Sequence, residues 1–257
     1  TRNAFTSSRP TPRSGSYREI ELCISRYARQ AATQGESSYL PKVEDHTLWY
    51  FSEETTKQVT LYESGTSRSS RCRWTLQEAG IPFEAVSRQG LINSDEVRQL
   101  RPLGKLPVAV IDGQPLFESA AICTYIADHA PTADLIAKPG SWGRAMHDQW
   151  VSYVLTEMEA WLWNTGVNKY VLPEEQRITA QFEQNDMMFR VSAAELDKIM
   201  QTRDWLVDDR FTVTDIIVGW TVNWGRRQGL LDGFDALQAY CTRLLARPHC
   251  ALSLIHI

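Results

Sequence analysis

Residues 100–131 read LRPLGKLPVAVIDGQPLFESAAICTYIADHAP, and this stretch decides the fold. Two short apolar runs, PVAVID (107–112) and PLFES (115–119), flank the dipeptide Asp112-Gly113. Because Asp-Gly accepts the positive φ angles of a tight turn between paired strands, the pattern predicts a β-hairpin. The apolar residues that follow have helical spacing and end at Pro131. The hairpin is therefore predicted to lead directly into a helix.

The residues before this stretch alternate strand-like runs with helical patterns. Gly80 stands where a C-cap is expected after one helix, and Asn93 or Ser94 is placed to cap the next. The predicted elements are a strand VTLYE (59–63), a helix RCRWTLQEAG (71–80), a strand IPFEAVS (81–87) and a helix NSDEVRQL (93–100). With the hairpin and its helix, this order predicts an α/β domain over about residues 58–135.

From Ser141 onward strand patterns disappear and helical ones dominate. A linker, KPGS (138–141), is therefore predicted to join the α/β domain to an all-helical domain over about residues 141–251. The tryptophans of this second part are expected to supply bulk for a helical core. In FTVTDI (211–216), Thr212 and Asp215 have the spacing of a capping box, and the flanking Phe211 and Ile216 are placed as its hydrophobic staple.

Composition excludes several classes of protein. The net charge of −4 and the pI near 5.8 provide no general basic surface for nucleic acid. No apolar run approaches the roughly 18 residues of a membrane span, so neither nucleic acid nor membrane is an expected partner. The five cysteines include no CxxC pair and no Cys/His metal spacing. We therefore expect reduced thiols in the cytoplasm and no metal site.

The two ends of the chain differ from the rest. The first 18 residues hold four Arg and no acidic residue, and the first Met is Met146. We expect residues 1–57 to be a disordered or spurious extension, because this stretch lacks the amphipathic period of a transit peptide. The final LSLIHI (252–257) matches the translated end of a sequencing adapter, so we expect a foreign tail after a truncated helical domain.

Three short patterns suggest chemistry. The turn in LYESGTSRSSRC (61–72) is rich in hydroxyls and arginines, which suits either an anion site or a helix cap made by Ser69 or Ser70. In GKLP (104–107), Pro107 precedes a strand at a place where cis peptide bonds occur. Glu118 and Ser119 open a helix, where they suit either a bound zwitterion or an ordinary cap with Ser119 capping and Glu118 solvated.

Taken together, the segments LYESGTSRSSRCRWTLQEAGIPFE and LRPLGKLPVAVIDGQPLFESAAICTYIADHAP resemble the N-terminal domain of the glutathione transferases, and the helical remainder resembles their C-terminal domain. The resemblance covers about residues 59–250. It implies a thioredoxin-like α/β domain followed by an all-α domain, and glutathione as co-substrate. Leu106, next to cis-Pro107, would pair with the cysteinyl backbone of glutathione. Glu118 and Ser119 would hold its γ-glutamyl end, and Lys105 would approach its glycine carboxylate.

The resemblance also implies that a hydroxyl stabilises the glutathione thiolate at the N-terminus of the first helix. Ser67 is the favoured candidate, with Tyr62, Ser69 and Thr66 as alternatives. Cysteine-type members of the family carry a Cys where this chain has Arg68. That difference argues against thiol-reductase chemistry, because Cys72 lies a full turn further along and is expected in the core.

The activity implied by the resemblance is transfer of the glutathione thiolate to an electrophilic apolar compound by a homodimer. The electrophile is expected against the first long helix of the second domain, where Trp161, Trp163 and Tyr170 are candidates to line its pocket. A glutathione-dependent isomerase, dehalogenase or ether-cleaving lyase is an alternative on the same fold. A non-catalytic protein of this fold, used for interaction or regulation, is a second alternative.

Overall fold

The computed structural model describes residues 57–65 and 67–250, and the first part of this described chain forms a four-stranded mixed sheet. The strands are β1 (Val59–Tyr62), β2 (Glu84–Val86), β3 (Val108–Ile111) and β4 (Gln114–Phe117), in the spatial order β2-β1-β3-β4. β1 and β2 are parallel, whereas β3 runs antiparallel to both β1 and β4. The predictions for residues 1–56, for Thr66 and for 251–257 lie outside the described residues.

Helices pack against both faces of this sheet, and the side chains of β1 alternate between these two faces. Val59 and Leu61 are buried in the main core, where α1 (Ser69–Glu78) and α3 (Ser119–Asp128) pack. Tyr62 points to the opposite face, toward the short helix α2 (Asp95–Leu100), where it packs with Leu91 and Val97. The order and the packing are those of the predicted thioredoxin-like domain.

The predicted hairpin is confirmed. Asp112 has a φ of 50° and Gly113 a φ of 81°, so both central residues of the turn adopt the positive φ of a type I′ hairpin. The side chain of Asp112 also accepts a hydrogen bond from the backbone N–H of Gln58 at 3.0 Å. β4 then leads into α3 through a single residue, Glu118, as the sequence predicts.

In the α/β domain, helix caps are predicted correctly in two places and wrongly in two others. Gly80, with a φ of 65°, follows the end of α1, and Ser94 caps α2 by accepting a hydrogen bond from the Val97 N–H at 3.3 Å. The prediction that Ser69 or Ser70 caps α1 is wrong, because both lie inside the helix and Arg68 occupies the cap position. Ser119 likewise lies inside α3, so it does not cap that helix.

The second half of the described chain is helical. α4 (Trp142–Tyr153) continues through a π-helical stretch, Val154–Glu159, into α5 (Ala160–Gly166) and a second π-helical stretch, Val167–Val171. The remaining long helices are α6 (Phe182–Met200), α7 (Val213–Arg227) and α8 (Asp235–Leu245). Both halves belong to one compact unit, and α7 packs against α1, α3 and α8. None of the described helices is long and apolar enough to cross a membrane.

The capping box of α7 is confirmed. The carboxylate of Asp215 accepts hydrogen bonds from the backbone N–H of Thr212 at 2.9 Å and from the hydroxyl of Tyr240 at 2.9 Å. Burial raises the pKa of Asp215 to about 6, against the hydrogen bonds that lower it. The expectation that the tryptophans fill the helical core holds for Trp150 but is wrong for Trp142, which is 80% exposed.

Candidate active site

The turn after β1 arranges two serine hydroxyls at the start of α1. The hydroxyls of Ser67 and Ser69 lie 2.9 Å apart, and Ser67 Oγ also accepts a hydrogen bond from the Ser69 N–H at 3.2 Å. Ser69 is fully buried, and its Oγ accepts from the Ser64 N–H at 3.2 Å. Ser67 is only partly buried and lines an open cleft. Of these two candidate hydroxyls, Ser67 is therefore the one that a ligand can reach.

The hydroxyl pair suits Ser67 as a donor. Either hydroxyl can donate its proton to the other, because hydroxyl protons rotate freely. When Ser69 donates to Ser67 Oγ, the Ser67 proton becomes available to an anion in the cleft. The first turn of α1 lies beside this anion, and the N-terminal end of a helix dipole stabilises negative charge.

Tyr62 lies on the other side of the sheet. It packs in the small cluster around Leu91 and Val97 rather than beside Ser67. Burial and the nearby carboxylates of Glu96 and Glu84 raise the pKa of its hydroxyl. The structure thus brings Ser67 and Ser69 together and leaves Tyr62 apart from them. Thr66 is not described.

The strand register places the predicted glutathione-binding residues at one end of the sheet, where β1 ends and β3 begins. Val108 is opposite Tyr62 on one side and opposite Phe117 on the other. The residue before Val108, Pro107, therefore lies between the end of β1 and the start of α3, next to Glu118. The Leu106–Pro107 peptide bond is cis. Lys105 is exposed, and its ammonium lies 5.7 Å from the centre of the Trp163 ring.

Glu118 is an exposed acid held in an unusual backbone conformation. Its φ is 69°, and its carboxylate is 65% exposed although Arg101 Nη2 lies 2.5 Å from Oε1. An α-ammonium group can therefore approach the carboxylate from solvent. Ser119 differs, because it is buried and its hydroxyl accepts from Arg71 Nη1 at 3.3 Å.

A buried arginine, Arg71, connects α1 to the helical half. Its guanidinium is inaccessible to solvent and lies 2.5 Å from the Glu159 carboxylate. It also donates to the Ile217 carbonyl at 2.9 Å and to the Thr221 hydroxyl at 2.5 Å. Buried charges need this degree of pairing, because an unpaired charge in the interior is costly.

Glu159 pairs with a second arginine as well. Arg68 Nε donates to Glu159 Oε1, and Arg71 Nη2 donates to Glu159 Oε2. Although burial alone would raise the pKa of Glu159, the charges of Arg71 and Arg68 lower it to about 2. The carboxylate is therefore ionised at neutral pH, and it fixes Arg68 at the N-terminus of α1 beside Ser67.

The cleft at this point has a volume of about 470 Å³ and combines aromatic and polar walls. Its aromatic lining consists of Trp163, Tyr170, Trp220 and Trp224. Two of the residues predicted for the second-substrate pocket, Trp163 and Tyr170, thus line the same cleft as Ser67. Trp161 does not line it, because its ring packs against the main core.

Several residues of the site were not predicted from the sequence. The polar lining includes Asn223, Arg227 and Gln228 from the end of α7, a helix in which no site residue was predicted. Arg101, the partner of Glu118, and Glu159, the partner of two arginines, were not predicted either. Arg68 and Arg71 belong to the arginine-rich turn, where the sequence left open whether they add positive potential or are solvated, and their pairing with Glu159 was not predicted. Within the described residues, no group of three or more His, Cys, Asp or Glu side chains is placed to hold a metal ion.

The site can therefore stabilise an anion beside an aromatic surface. A hydroxyl donor, a helix N-terminus and a fixed guanidinium are near one point, and each of them favours an ionised sulfur over a neutral thiol. The adjacent indole rings offer a flat apolar surface for a second molecule.

Comparison with known proteins agrees with this geometry. Residues 67–129 match the glutathione S-transferase N-terminal domain, and residues 144–248 match the glutathione S-transferase C-terminal domain. The chain is 30% identical over 176 residues to glutathione S-transferase GST-4.5 of Xanthomonas campestris pv. campestris, a match covering 68% of this chain and 84% of that protein.

Two further proteins are similar to this chain. A sphingomonad glutathione S-transferase solved with glutathione superposes with a TM-score of 0.68 at 25% identity, over 76% of this chain and 97% of that one. Protein LigF of Sphingobium sp. strain SYK-6, whose solved structure is described as a beta-etherase, is 29% identical over 233 residues, covering 74% of this chain and 90% of LigF. With both domain matches in the family's order, the chain belongs to the glutathione S-transferase family.

Proposed function

We propose that this glutathione S-transferase conjugates the glutathione thiolate to an electrophilic compound bound in the aromatic cleft. The observation that carries the proposal is the position of Ser67, whose hydroxyl lies at the N-terminus of α1 and lines the cleft. Trp163 and Tyr170 line the same cleft, so sulfur and electrophile would meet there.

In this proposal glutathione lies along the end of the sheet where β1 ends and β3 begins. Its cysteinyl backbone pairs with Leu106 beside Pro107, and its α-ammonium meets the exposed carboxylate of Glu118. The buried Ser119 contributes its backbone at the start of α3, while its hydroxyl stays with Arg71. Lys105 is exposed beside Trp163 and lies on the side proposed for the glycine carboxylate.

The chemical step is a displacement. The glutathione thiol loses its proton to solvent, and the Ser67 hydroxyl stabilises the thiolate by a charge-assisted hydrogen bond. The sulfur then forms a bond to the electrophilic carbon, and the leaving group departs with the electron pair of the bond that breaks. Arg68, fixed by Glu159, adds positive potential beside the sulfur.

The direct test is conjugation of 1-chloro-2,4-dinitrobenzene, followed by absorbance of the thioether product. Turnover that saturates with glutathione supports the proposal. A protein that folds and binds glutathione resin but turns over no member of a panel of electrophiles would contradict it, and would favour the non-catalytic alternative.

Ether cleavage is a second candidate, which the similarity to LigF favours. The same thiolate would attack the carbon bearing an aryloxy group, and a phenolate would leave with the electrons of the C–O bond. An aryl ether and an aryl chloride assayed side by side distinguish the two activities by which leaving group is released.

The homodimer and the cytoplasmic location also stay proposals drawn from the family. Light scattering on the purified protein tests the homodimer, and a mass of one protomer over the micromolar range would contradict it. Fractionation of the producing cell tests the location.

A further inference from the structure

The cleft is positively charged as well as aromatic. Two of its lining residues, Arg68 and Arg227, are positively charged, and none of the described residues that line it is acidic. The charge of Arg68 already serves the thiolate in the proposed reaction, whereas the charge of Arg227 has no role in it. The lining suits a ligand that is both aromatic and anionic.

Arg68 forms one wall of this positive region. Its guanidinium lies 4.6 Å from the centre of the Trp163 ring and 5.9 Å from that of Trp224, and 29% of its side chain is exposed. Glu159 compensates only part of the local charge, because it is shared between Arg68 and Arg71. The two arginines and Glu159 together therefore carry one net positive charge.

Arg227 forms a second and more accessible positive region. It is the last residue of α7, and its side chain is exposed. Within residues 57–65 and 67–250, no acidic residue forms an ion pair with it. Asn223 lies one turn earlier, and its Oδ1 accepts from Arg226 Nε at 3.0 Å. That bond leaves the amide protons of Asn223 available as donors to the cleft.

We propose that the cleft selects an aromatic electrophile that carries a carboxylate, with Arg227 as the residue that recognises the carboxylate. The inference rests on the proposed conjugation. The aromatic ring lies against Trp163 and Trp224, where its electrophilic carbon faces the sulfur held by Ser67. The carboxylate, at the far end of the ring, accepts hydrogen bonds from Arg227 and from the Asn223 amide.

The probe pair is 4-chloro-3,5-dinitrobenzoate and the neutral 4-chloro-3,5-dinitrobenzamide. In both, the glutathione sulfur bonds to the ring carbon bearing chlorine, and chloride leaves with the electron pair. The carboxylate or amide takes no part in bond making. Dividing each kcat/KM by the rate constant of the uncatalysed reaction with glutathione removes the difference in intrinsic reactivity.

Arg227→Gln is expected to lower the normalised kcat/KM for the benzoate by about threefold to tenfold, the effect of losing one partly exposed charged hydrogen bond. The value for the benzamide should stay within about twofold. Arg203→Gln is the matched control, because Arg203 is exposed, does not line the cleft and carries the same charge. Equal losses on both substrates, or an equal loss in Arg203→Gln, would overturn the assignment.

Binding of unreactive probes separates this inference from the proposed reaction. Calorimetry with 4-amino-3,5-dinitrobenzoate and its benzamide measures selectivity with no chemical step. In one outcome, the wild type binds the amino benzoate more tightly than the benzamide, Arg227→Gln abolishes this preference, and neither chloro compound is turned over. That result would refute conjugation of these probes and retain the carboxylate site. Turnover of both chlorides with no preference for the benzoate in binding would refute the carboxylate site and retain conjugation.

Discussion

Arg71 and Glu159, 88 residues apart in the chain, meet in the interior, where Nη2 of Arg71 lies 2.5 Å from Oε2 of Glu159. The pair joins the helix that carries the proposed thiolate site to the helix that leads to the aromatic cleft. Through its other oxygen, Glu159 also holds Arg68. One buried carboxylate thus determines the position of two guanidinium groups.

Glu159→Gln is expected to lower the free energy of unfolding by about 3 kcal/mol at pH 7, since it leaves two arginines without their counter-charge. Chemical denaturation measures the change. Glu157→Gln is the matched control, because Glu157 is exposed two residues earlier, and its effect should stay within about 0.5 kcal/mol. An equal effect of the two substitutions would contradict the importance of the buried pair.

The same pair predicts a pH dependence. The pKa of Glu159 is about 2 in the folded protein against an ordinary 4.5. As the pH falls, Glu159 therefore takes up a proton at a higher pH in the unfolded chain than in the folded protein. Its contribution, about 3 kcal/mol for a shift of this size, is complete above pH 4.5 and is lost toward pH 2. The stability difference between wild type and Glu159→Gln should therefore shrink over this interval. A difference that stays constant from pH 5 to pH 2.5 would contradict the depressed pKa.

Ser67→Ala is expected to lower kcat/KM for conjugation roughly tenfold to hundredfold near pH 7, because the thiolate loses a charge-assisted hydrogen bond. The pH at which the rate reaches half its plateau should rise toward about 8.5, the ordinary cysteine value. Affinity for glutathione should change little. Tyr62→Phe serves as the comparison and should keep the wild-type pH profile, since Tyr62 lies on the opposite face of the sheet. The reverse result would transfer the role to Tyr62.

Glu118→Gln is expected to weaken glutathione binding about tenfold, because a partly exposed carboxylate no longer meets the α-ammonium of the ligand. Calorimetry provides the affinity. N-acetylglutathione, which lacks that ammonium, should bind wild type and variant equally. Glu84→Gln, which removes another exposed acid of the sheet, should leave both affinities unchanged. If Glu118→Gln weakens both ligands equally, the proposed contact with the ammonium is refuted.

Two helical glycines differ in the space around them. A Cβ on Gly225 would overlap the buried ring of Phe189, whereas a Cβ on Gly166 would meet no atom closer than Trp224 Cζ2 at 3.5 Å. Gly225→Ala should therefore lower stability by about 2 kcal/mol through overpacking. Gly166→Ala should raise it by up to about 1 kcal/mol through helix propensity. Equal melting temperatures of the two variants would show that Phe189 moves aside.

Local patterns were sufficient to predict the strands, the hairpin and several helix caps, because their signals are short in range. The Asp112-Gly113 turn, Gly80 after α1 and the Thr212–Asp215 box each involve neighbouring residues, and each forms as predicted. The buried network could not be predicted in this way. Nothing near Arg71 or Glu159 in the sequence distinguishes them from solvated helix charges, and they are buried because α7 packs both against α1 and against the π-helical stretch Val154–Glu159.

Only some of the cleft residues were predicted, because the choice among them also depends on features that leave no local pattern. Trp161 and Trp163 are two positions apart in one helix, so they point in very different directions, and only one can face the cleft. Which one does so depends on the π-helical stretch before them, which leaves no pattern in the sequence. Tyr62, in contrast, was open to a better prediction, because it follows the buried Leu61 in a strand and must point to the other face.

That π-helical stretch, Val154–Glu159, has a further consequence for the helix that continues from it. A π-helical turn holds about one residue more than an α-helical turn, so this stretch sets the rotational position of every residue that follows it in the helix. Glu159 beside its two arginines and Trp163 in the cleft therefore depend on the same extra residue. The site is specified by the local winding of one helix as well as by the side chains that the helix carries.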